Sequence, residues 1–293
     1  MGRTPALAAS GAGVAWALGA VGLWGTSSAV IVLLGTLPAG ELLLCTHAVG
    51  ALALNGWCLY RRGVAATLAP ARALTPRLVG VALLGMVVYQ LGYVSGLRLA
   101  PPAQANLLNY LWPLCTALFA ALLGRDRLTF RHLAAMLVGI GGTALLVGTA
   151  DAAGYPDATY GYALAITGAV AWGLYSNLIA RLPASPADSQ RLILTVGAAA
   201  FVPVALMGGI SVPTPAEAVA AAYLGLGPVA LGAVAWQGAM SRGPVASVVA
   251  VAYLTPALST GLLVALAGRA ATWSLAAGLA LVLLAAVLPG RRT

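Results

Sequence analysis

The chain has 293 residues, of which 61% are hydrophobic and 7% are charged, whereas a soluble domain carries about 25% charged residues. So much apolar surface cannot be buried inside a soluble protein of this length, and the composition excludes one. The 15 basic residues are all arginines and give a net charge of +9, but they are spread over many short loops, which argues against a nucleic-acid-binding surface.

Ten apolar stretches follow one another, each with the roughly 18–23 residues that a helix needs to cross about 30 Å of hydrocarbon. We number them as spans one to ten, at residues 12–34, 39–60, 78–97, 103–123, 132–150, 159–181, 191–208, 217–240, 245–267 and 271–289. The loops are short, and the longest covers residues 61–77. The sequence therefore predicts an all-α membrane protein with ten transmembrane helices.

The positions of the arginines predict the orientation of these spans. If the N-terminus is cytoplasmic and each span crosses once, only Arg98 and Arg269 lie outside, and the other 13 of the 15 arginines lie inside. Membrane proteins keep most Lys and Arg of their short loops on the cytoplasmic side. We therefore expect both termini in the cytoplasm.

The two halves of the chain resemble each other in the order and spacing of short motifs. The run from Trp24 to Ser28 in span one matches the run from Trp172 to Ser176 in span six. The run from Tyr110 to Pro113 in span four matches the run from Tyr253 to Pro256 in span nine, at nearly the same separation along the chain. The near-constant separation favours an internal repeat over the alternative, which is chance similarity between apolar helices.

A repeat of five spans has a topological consequence, because an odd number makes the second copy enter the membrane from the opposite side. We therefore predict two inverted five-helix repeats, residues 1–150 and residues 151–293. Such a pair can hold one central site and expose it alternately to either face, which is the architecture of a transporter.

Several motifs resemble the EamA-type repeat of the drug/metabolite transporter superfamily. They are Tyr93, Pro101, Tyr110–Pro113, Leu122–Gly124 followed by Leu128–Thr129, and Gly139–Gly142. The resemblance implies five plus five spans and a transporter of the bacterial inner membrane, most similar to the YddG-type exporters of aromatic amino acids. The chain departs from the repeat where Gly-Glu is usual, since Arg125 and Arg269 stand in place of the glutamate, and no role of that glutamate is transferred.

Polar and aromatic residues within the spans predict a substrate cavity, because polar groups in a membrane helix must face protein or water. The predicted substrate-binding residues are Trp24, Ser28, His47, Tyr89, Gln90, Tyr93, Asn106, Asn109, Tyr110, Trp172, Tyr175, Ser176, Trp236, Gln237 and Tyr253. Regular helical spacing turns Trp112 about 100° away from the Asn109 face of span four. Hydrogen bonding between helices is the alternative role for any single polar residue.

Pro113 and Pro256 occupy matched positions inside spans four and nine. Each lacks a backbone donor and is expected to kink its helix. We predict that both act as hinges, and a purely structural role in packing is the alternative.

The residues that the spans lack also restrict the function. The acidic residues all lie in loops or at span ends, so the usual proton-coupling carboxylate is missing. No mid-span Arg or Lys is predicted, which disfavours phosphorylated substrates. Neither a metal site nor a cofactor site is expected, and no motif of an intramembrane enzyme is present.

These observations predict a transporter that exports aromatic and other large apolar amino acids from the cytoplasm by alternating access, without proton coupling. An aromatic cavity with amide and hydroxyl groups suits a substrate with an apolar ring and a polar head. Efflux of lipophilic cations or other drugs is the alternative, since aromatic rings also bind cations. The expected partners are the amino acid substrate and the lipid bilayer, with no nucleic acid, and the oligomeric state is left open.

Overall fold

All regular structure is helical in the part of the chain that the computed structural model describes. That part consists of residues 5–34, 36–68, 75–124, 153–179, 181, 185–242, 251–252, 254–267 and 272–287, with the single positions 130, 134, 137, 138, 141, 142, 145 and 248. Within it, seven helical segments are long and apolar enough to cross a membrane. They are Gly11–Leu33, Ala39–Leu68, Pro76–Leu99, Pro102–Leu122, Ala158–Ile179, Pro186–Gly208 and Pro215–Arg242.

These seven segments correspond to predicted spans one to four and six to eight, whose bounds differ from the prediction by a few residues. Helices Leu254–Ala267 and Trp273–Val287 lie within predicted spans nine and ten, but they have 14 and 15 residues. Predicted span five, residues 132–150, falls almost entirely outside the described residues. Helical structure of span two continues into the predicted loop as far as Leu68, with a break at Gly63, where φ is 78°.

Side-chain caps define where three of the spans begin. Thr75 accepts a hydrogen bond from the amide of Leu78, and Ser185 accepts one from the amide of Asp188, both at 3.2 Å. Thr214 and Glu217 form a reciprocal capping box at the start of span eight. Each cap is followed by a proline in the first helical turn, where a missing N–H costs nothing.

The cap at Ser185 corrects the sequence analysis of span seven, which begins at Pro186 and not at 191. Arg191 therefore lies inside the helix and not at a loop edge, and it is only 2% exposed. Its Nη1 donates to Asn55 Oδ1 at 3.0 Å and to the carbonyl of Thr67 at 2.8 Å, and Asp188 lies 3.6 Å from its Nη2. The short polar first turn of the helix resembled a loop in the sequence.

Four spans depart from regular α-helix near their middle. Span one is interrupted at residues 25–26, between helices Pro5–Trp24 and Ser27–Leu33. Span four is interrupted at residues 110–111, between helices Pro102–Asn109 and Trp112–Leu122.

Spans three and eight each contain a π-helical segment, at Leu83–Val88 and Gly225–Gly232 respectively. The two segments occupy similar places in the two copies, because their separation along the chain is close to that of the repeated motifs. Segments of this type occur frequently at functional sites.

The packing of the spans is reciprocal between the two halves of the chain. Span one packs on span eight, and its equivalent, span six, packs on span three. Span four packs on span six, and its equivalent, span nine, packs on span one. The equivalent spans two and seven pack on each other. A Cβ atom at Gly25 would lie 3.0 Å from the Cβ of Leu258, and one at Gly173 would lie 2.6 Å from the Cβ of Cys115. Since Gly25 matches Gly173 and Cys115 matches Leu258 in the repeat, the same close contact recurs in both halves.

Spans three and six approach closely at small residues. A Cβ atom at Gly92 would lie 2.6 Å from the carbonyl oxygen of Leu164, and one at Gly96 would lie 3.0 Å from the Cβ of Ala165. Small residues at four-residue spacing let helix backbones pack this tightly. The pair Gly92 and Gly96 thus serves packing within the chain.

The Gly92→Ala substitution is expected to destabilise the folded protein by about 1–3 kcal/mol, because the added methyl group overpacks the interface of spans three and six. Gly80→Ala in the same span is the matched control, since a Cβ atom there meets nothing within 4 Å. Thermal unfolding of both variants in detergent measures the difference. Equal unfolding temperatures for the two variants would contradict the close packing.

The Arg191→Ala substitution is expected to lower stability by about 3 kcal/mol, because it leaves Asn55 Oδ1 and the Thr67 carbonyl without their charged donor. Arg62 also pairs with Asp188, at 3.0 Å, but its side chain is 55% exposed. Arg62→Ala should therefore change the unfolding midpoint little. A larger loss from Arg62→Ala than from Arg191→Ala would show that the buried contacts of Arg191 are not the stabilising ones.

Candidate functional site

The irregular segments of spans one, three, four and eight surround a cavity in the middle of the bundle. Its empty volume is about 800 Å³, including the part that opens to solvent. Spans two, six and nine complete the wall through Leu42, Thr46, Trp172 and Thr255.

Seven of the predicted substrate-binding residues line this cavity. They are Trp24, Tyr89, Gln90, Tyr93, Asn109, Tyr110 and Trp172. The other lining residues do not belong to the predicted site; they are Ser27, Ile31, Leu42, Leu43, Thr46, Met86, Val94, Trp112, Leu224, Pro228, Val229, Ala233 and Thr255. Most of these residues are apolar or small. In so apolar a chain, the sequence does not distinguish them from residues that face lipid.

Four tryptophans from four different spans meet beside the cavity. The ring centroid of Trp24 lies 6.4 Å from that of Trp112, 5.6 Å from that of Trp172 and 5.5 Å from that of Trp236. Trp112 and Trp236 are 5.2 Å apart, with ring planes at 87°. Edge-to-face pairs of this kind add stability beyond the burial of the rings. We call these four residues the tryptophan box.

The position of Trp112 corrects the sequence analysis, which turned this side chain away from the Asn109 face. Span four does not step regularly by about 100° per residue, because the helix ends at Asn109 and a new helix starts at Trp112. Pro113 causes the break, since it has no N–H to donate to the carbonyl of Asn109. The changed direction brings Trp112, 3% exposed, into the wall of the cavity.

Two equivalent tryptophans differ in their hydrogen bonding. Trp24 Nε1 donates to the carbonyl of Pro228 in the π-helical segment of span eight, at 3.0 Å. Trp172 Nε1 has no hydrogen-bond partner among the described residues, although Trp172 is only 5% exposed. The box therefore presents one unpaired donor from a residue that lines the cavity.

A buried hydrogen-bond network holds the hydroxyl groups of two cavity tyrosines. Tyr93 donates to Asn106 Oδ1 at 3.1 Å, and Asn106 Nδ2 donates to Ser259 Oγ at 2.9 Å. The Tyr110 hydroxyl lies 3.0 Å from the same Ser259 oxygen. Asn106 and Ser259 are both fully buried and do not line the cavity, so they position the tyrosines. The sequence analysis missed Ser259. Its position three residues after Pro256, on the same helix face, was the signal that could have indicated it.

Three predicted site residues in spans one, two and six lie behind the cavity wall. His47 is fully buried, and its Nδ1 donates to the carbonyl of Leu43 at 2.8 Å while its ring packs on Phe201. Ser28 and Ser176, equivalent in the repeat, are also fully buried and do not line the cavity.

The predicted residues Tyr175 and Gln237 form a buried group with Gln190, which the sequence analysis missed. Gln190 Nε2 donates to the Tyr175 hydroxyl at 3.0 Å and to Gln237 Oε1 at 3.3 Å. Tyr175 joins this group to the cavity, because its ring centroid lies 5.0 Å from that of Trp172. Trp236 belongs to the box without lining the cavity, and Tyr253 lies outside the described residues.

The cavity is electrically neutral in its side chains. No Asp, Glu, Arg, Lys or His is among the described residues that line it. Charged groups lie at the span ends, where Glu41 accepts from the amide and hydroxyl of Ser211 and Thr36 donates to Glu217. In the described residues, no three His, Cys, Asp or Glu side chains come together as a metal site.

Both halves of the chain match one known family. The profile of the EamA-like transporter family matches residues 11–148 and again residues 159–289. An aromatic amino acid exporter YddG from Ancylobacter novellus is 37% identical over 202 residues, which are 68% of this chain and 70% of that protein. A probable terminal-alkyne amino-acid exporter from Streptantibioticus cattleyicolor is 28% identical over 245 residues, which are 80% of this chain and 81% of that protein.

A crystal structure of a protein that is 31% identical superimposes with a TM-score of 0.72 over 96% of both chains. The family match covers almost the whole chain, so it confirms the predicted transporter and decides against an enzyme. Several apolar helices of spanning length agree with a multi-pass membrane protein. The chain belongs to the EamA-like transporter family.

Proposed function

We propose that this transporter exports aromatic and other large apolar amino acids from the cytoplasm through the bacterial inner membrane. The observation that carries the proposal is the neutral cavity, in which three members of the tryptophan box stand beside amide and hydroxyl groups. Flat apolar walls suit an aromatic side chain, and the polar groups suit the head of an amino acid. The names of two relatives, both amino acid exporters, support the same substrate class.

The mechanism that we propose is alternating access by two inverted copies, residues 1–150 and 151–293, with both termini in the cytoplasm. The reciprocal packing of the spans supports this arrangement, because a twofold exchange of two copies requires each contact to recur. Cavity-lining residues of spans one to three lie mainly in the halves nearest to the Thr36–Glu217 and Glu41–Ser211 contacts. In the proposed orientation this is the external face, so the cavity lies nearer to the outside.

Pro113 and Pro256 are the proposed hinges of this motion. The break before Pro113 already divides span four into two helices, and in this proposal the two tilt independently. Pro256 is buried near the start of helix Leu254–Ala267, which packs on span four. Unchanged export by Pro113→Ala and Pro256→Ala would overturn the hinge role.

Export is proposed to be driven by the gradient of the substrate itself. Proton-coupled transporters usually carry a membrane-embedded carboxylate or histidine that faces the substrate pathway. None of the described cavity residues is of this kind, and His47 lies behind the wall with its Nδ1 paired to the backbone.

Proteoliposomes that are preloaded with labelled phenylalanine test this proposal. Efflux is expected without an imposed pH gradient, unchanged by a protonophore and competed by tryptophan. Efflux that stops when the proton gradient is dissipated would overturn uncoupled transport. Competition by quaternary ammonium compounds, without competition by aromatic amino acids, would instead establish the export of lipophilic cations.

The Trp172→Ala substitution is expected to weaken apparent affinity for phenylalanine by about tenfold or more, because it removes ring contacts with the substrate and with Tyr89, whose centroid lies 4.5 Å away. Trp172→Phe should retain part of the affinity. Trp273→Ala, at a residue that is 86% exposed, is the control and should leave export unchanged. Equal export by the Trp172→Ala and Trp273→Ala proteins, at equal expression, would contradict the assigned cavity.

A further inference from the structure

An amino acid poses an electrostatic problem for this cavity, because its ammonium and carboxylate groups are both charged near neutral pH. Moving an isolated charge from water into an apolar environment costs many kcal/mol unless it is paired or hydrogen-bonded. No charged side chain lines the described part of the cavity wall. The complement to the two charges must therefore come from dipoles.

The break in span four places two opposite helix ends at the wall of the cavity. Helix Pro102–Asn109 ends there and the 11-residue helix Trp112–Leu122 begins there. Residues on both sides of the break, Asn109, Tyr110 and Trp112, line the cavity. A helix carries partial positive charge at its N-terminus and partial negative charge at its C-terminus, so the break offers both signs side by side.

At the break the amide of Leu111 donates to the carbonyl of Leu108 at 3.1 Å, but one nearby carbonyl loses its helical partner. Pro113 has no N–H, so the carbonyl of Asn109 lacks its usual partner four residues on. Leu111, the N-cap of the second helix, makes no side-chain capping bond. Interrupted helices of membrane transporters use such ends to bind the charged groups of substrates and ions.

Unpaired side-chain atoms at the same wall point independently to a ligand. Asn109 Oδ1 and Thr255 Oγ1 have no hydrogen-bond partner among the described residues, although each residue is 2% exposed. The Nε1 of Trp172 is the third such atom in the lining. An orphaned buried polar group destabilises the protein, and a bound ligand that pairs with it removes this cost. The three atoms offer an acceptor for an ammonium group and two donors for a carboxylate.

We propose that the interrupted segment of span four is the binding site for the zwitterionic head of the substrate. The substrate ammonium group binds at Asn109 Oδ1 and the backbone carbonyl of Asn109. The carboxylate binds at the N-terminus of helix Trp112–Leu122, with the Thr255 hydroxyl and Trp172 Nε1 as further donors. This inference rests on the proposed export of amino acids and adds the groups that select a zwitterion over a cation.

The second half of the chain has no equivalent of this head site at the matching positions of span nine. In the alignment that pairs Pro113 with Pro256, Asn109 corresponds to Ala252 and Trp112 corresponds to Thr255. Ala252 is buried and has no polar side-chain atom. A twofold-symmetric cavity would bind the substrate in two opposite orientations. Because the polar side chain is present in one copy only, the cavity selects one orientation.

Binding of four related compounds to the purified protein tests the proposal. They are phenylalanine, phenethylamine without the carboxylate, 3-phenylpropionate without the amine, and phenylalanine methyl ester with a masked carboxylate. We expect each of the last three to bind at least about tenfold more weakly than phenylalanine, since each loses a hydrogen-bonded charge.

Two variants assign the two charges to their sites. Asn109→Leu is expected to weaken phenylalanine about tenfold but to leave 3-phenylpropionate nearly unchanged, because that compound has no ammonium group. Thr255→Val should weaken phenylalanine and leave phenethylamine nearly unchanged. Thr167→Val is the control, because the Thr167 hydroxyl lies on an exposed face of span six and bonds to the carbonyl of Ala163. Thermal unfolding of each variant verifies that it is folded.

The outcomes separate this inference from the proposed function. Suppose that the unmodified protein binds phenylalanine and that both folded variants bind all four compounds with unchanged affinity. The proposed head site is then wrong, and the proposed export function stands. Phenethylamine binding as tightly as phenylalanine would overturn zwitterion recognition in favour of a cation site. No phenylalanine binding by the unmodified protein would overturn the proposed function itself.

Discussion

The pairing of backbone N–H and C=O groups is the constraint from which the main features of this structure follow. Inside a membrane these groups cannot be left facing lipid, so the chain is helical and its interruptions are tolerated only where protein or a cavity covers them. Spans one, three, four and eight all depart from regular α-helix near mid-span, and all four line the same cavity. The irregular backbone segments and the cavity therefore occur together, because the cavity is where irregular backbone is tolerated.

The two halves share their packing and differ in the chemistry that they present to the cavity. Contacts such as Gly25 on Leu258 and Gly173 on Cys115 recur because they determine how closely the helices approach. The lining residues have diverged, since Tyr93 corresponds to Trp236 and Gln90 corresponds to Ala233. Most hydrogen-bonding side chains of the cavity thus come from the first half. In the alternating-access mechanism that we propose, the nearly twofold frame supports the motion and the asymmetric lining selects one substrate orientation.

The candidate site was predictable to the extent that regular helices expose their side chains at fixed angles. Tyr89, Gln90 and Tyr93 share a helix face, and all three line the cavity. Trp112 was assigned the wrong direction, because the proline-induced break changes the angle at which the next residue points. Asn106 stands on the predicted face, yet its amide bonds to Tyr93 and Ser259 and does not reach the cavity. Periodicity indicates a face, whereas the partner across that face decides whether a polar group meets substrate or protein.

Composition and local spacing were enough to identify a membrane protein, the approximate position of seven spans, and the motifs of its family. Each of these depends on neighbouring residues in the chain, which tertiary contacts do not alter. The folded structure was needed to show that four tryptophans from four spans meet, that Arg191 is buried against Asn55, and that spans three and eight carry π-helical segments. These features depend on residues far apart in the chain, and their contacts are set by how closely small residues let the helices pack.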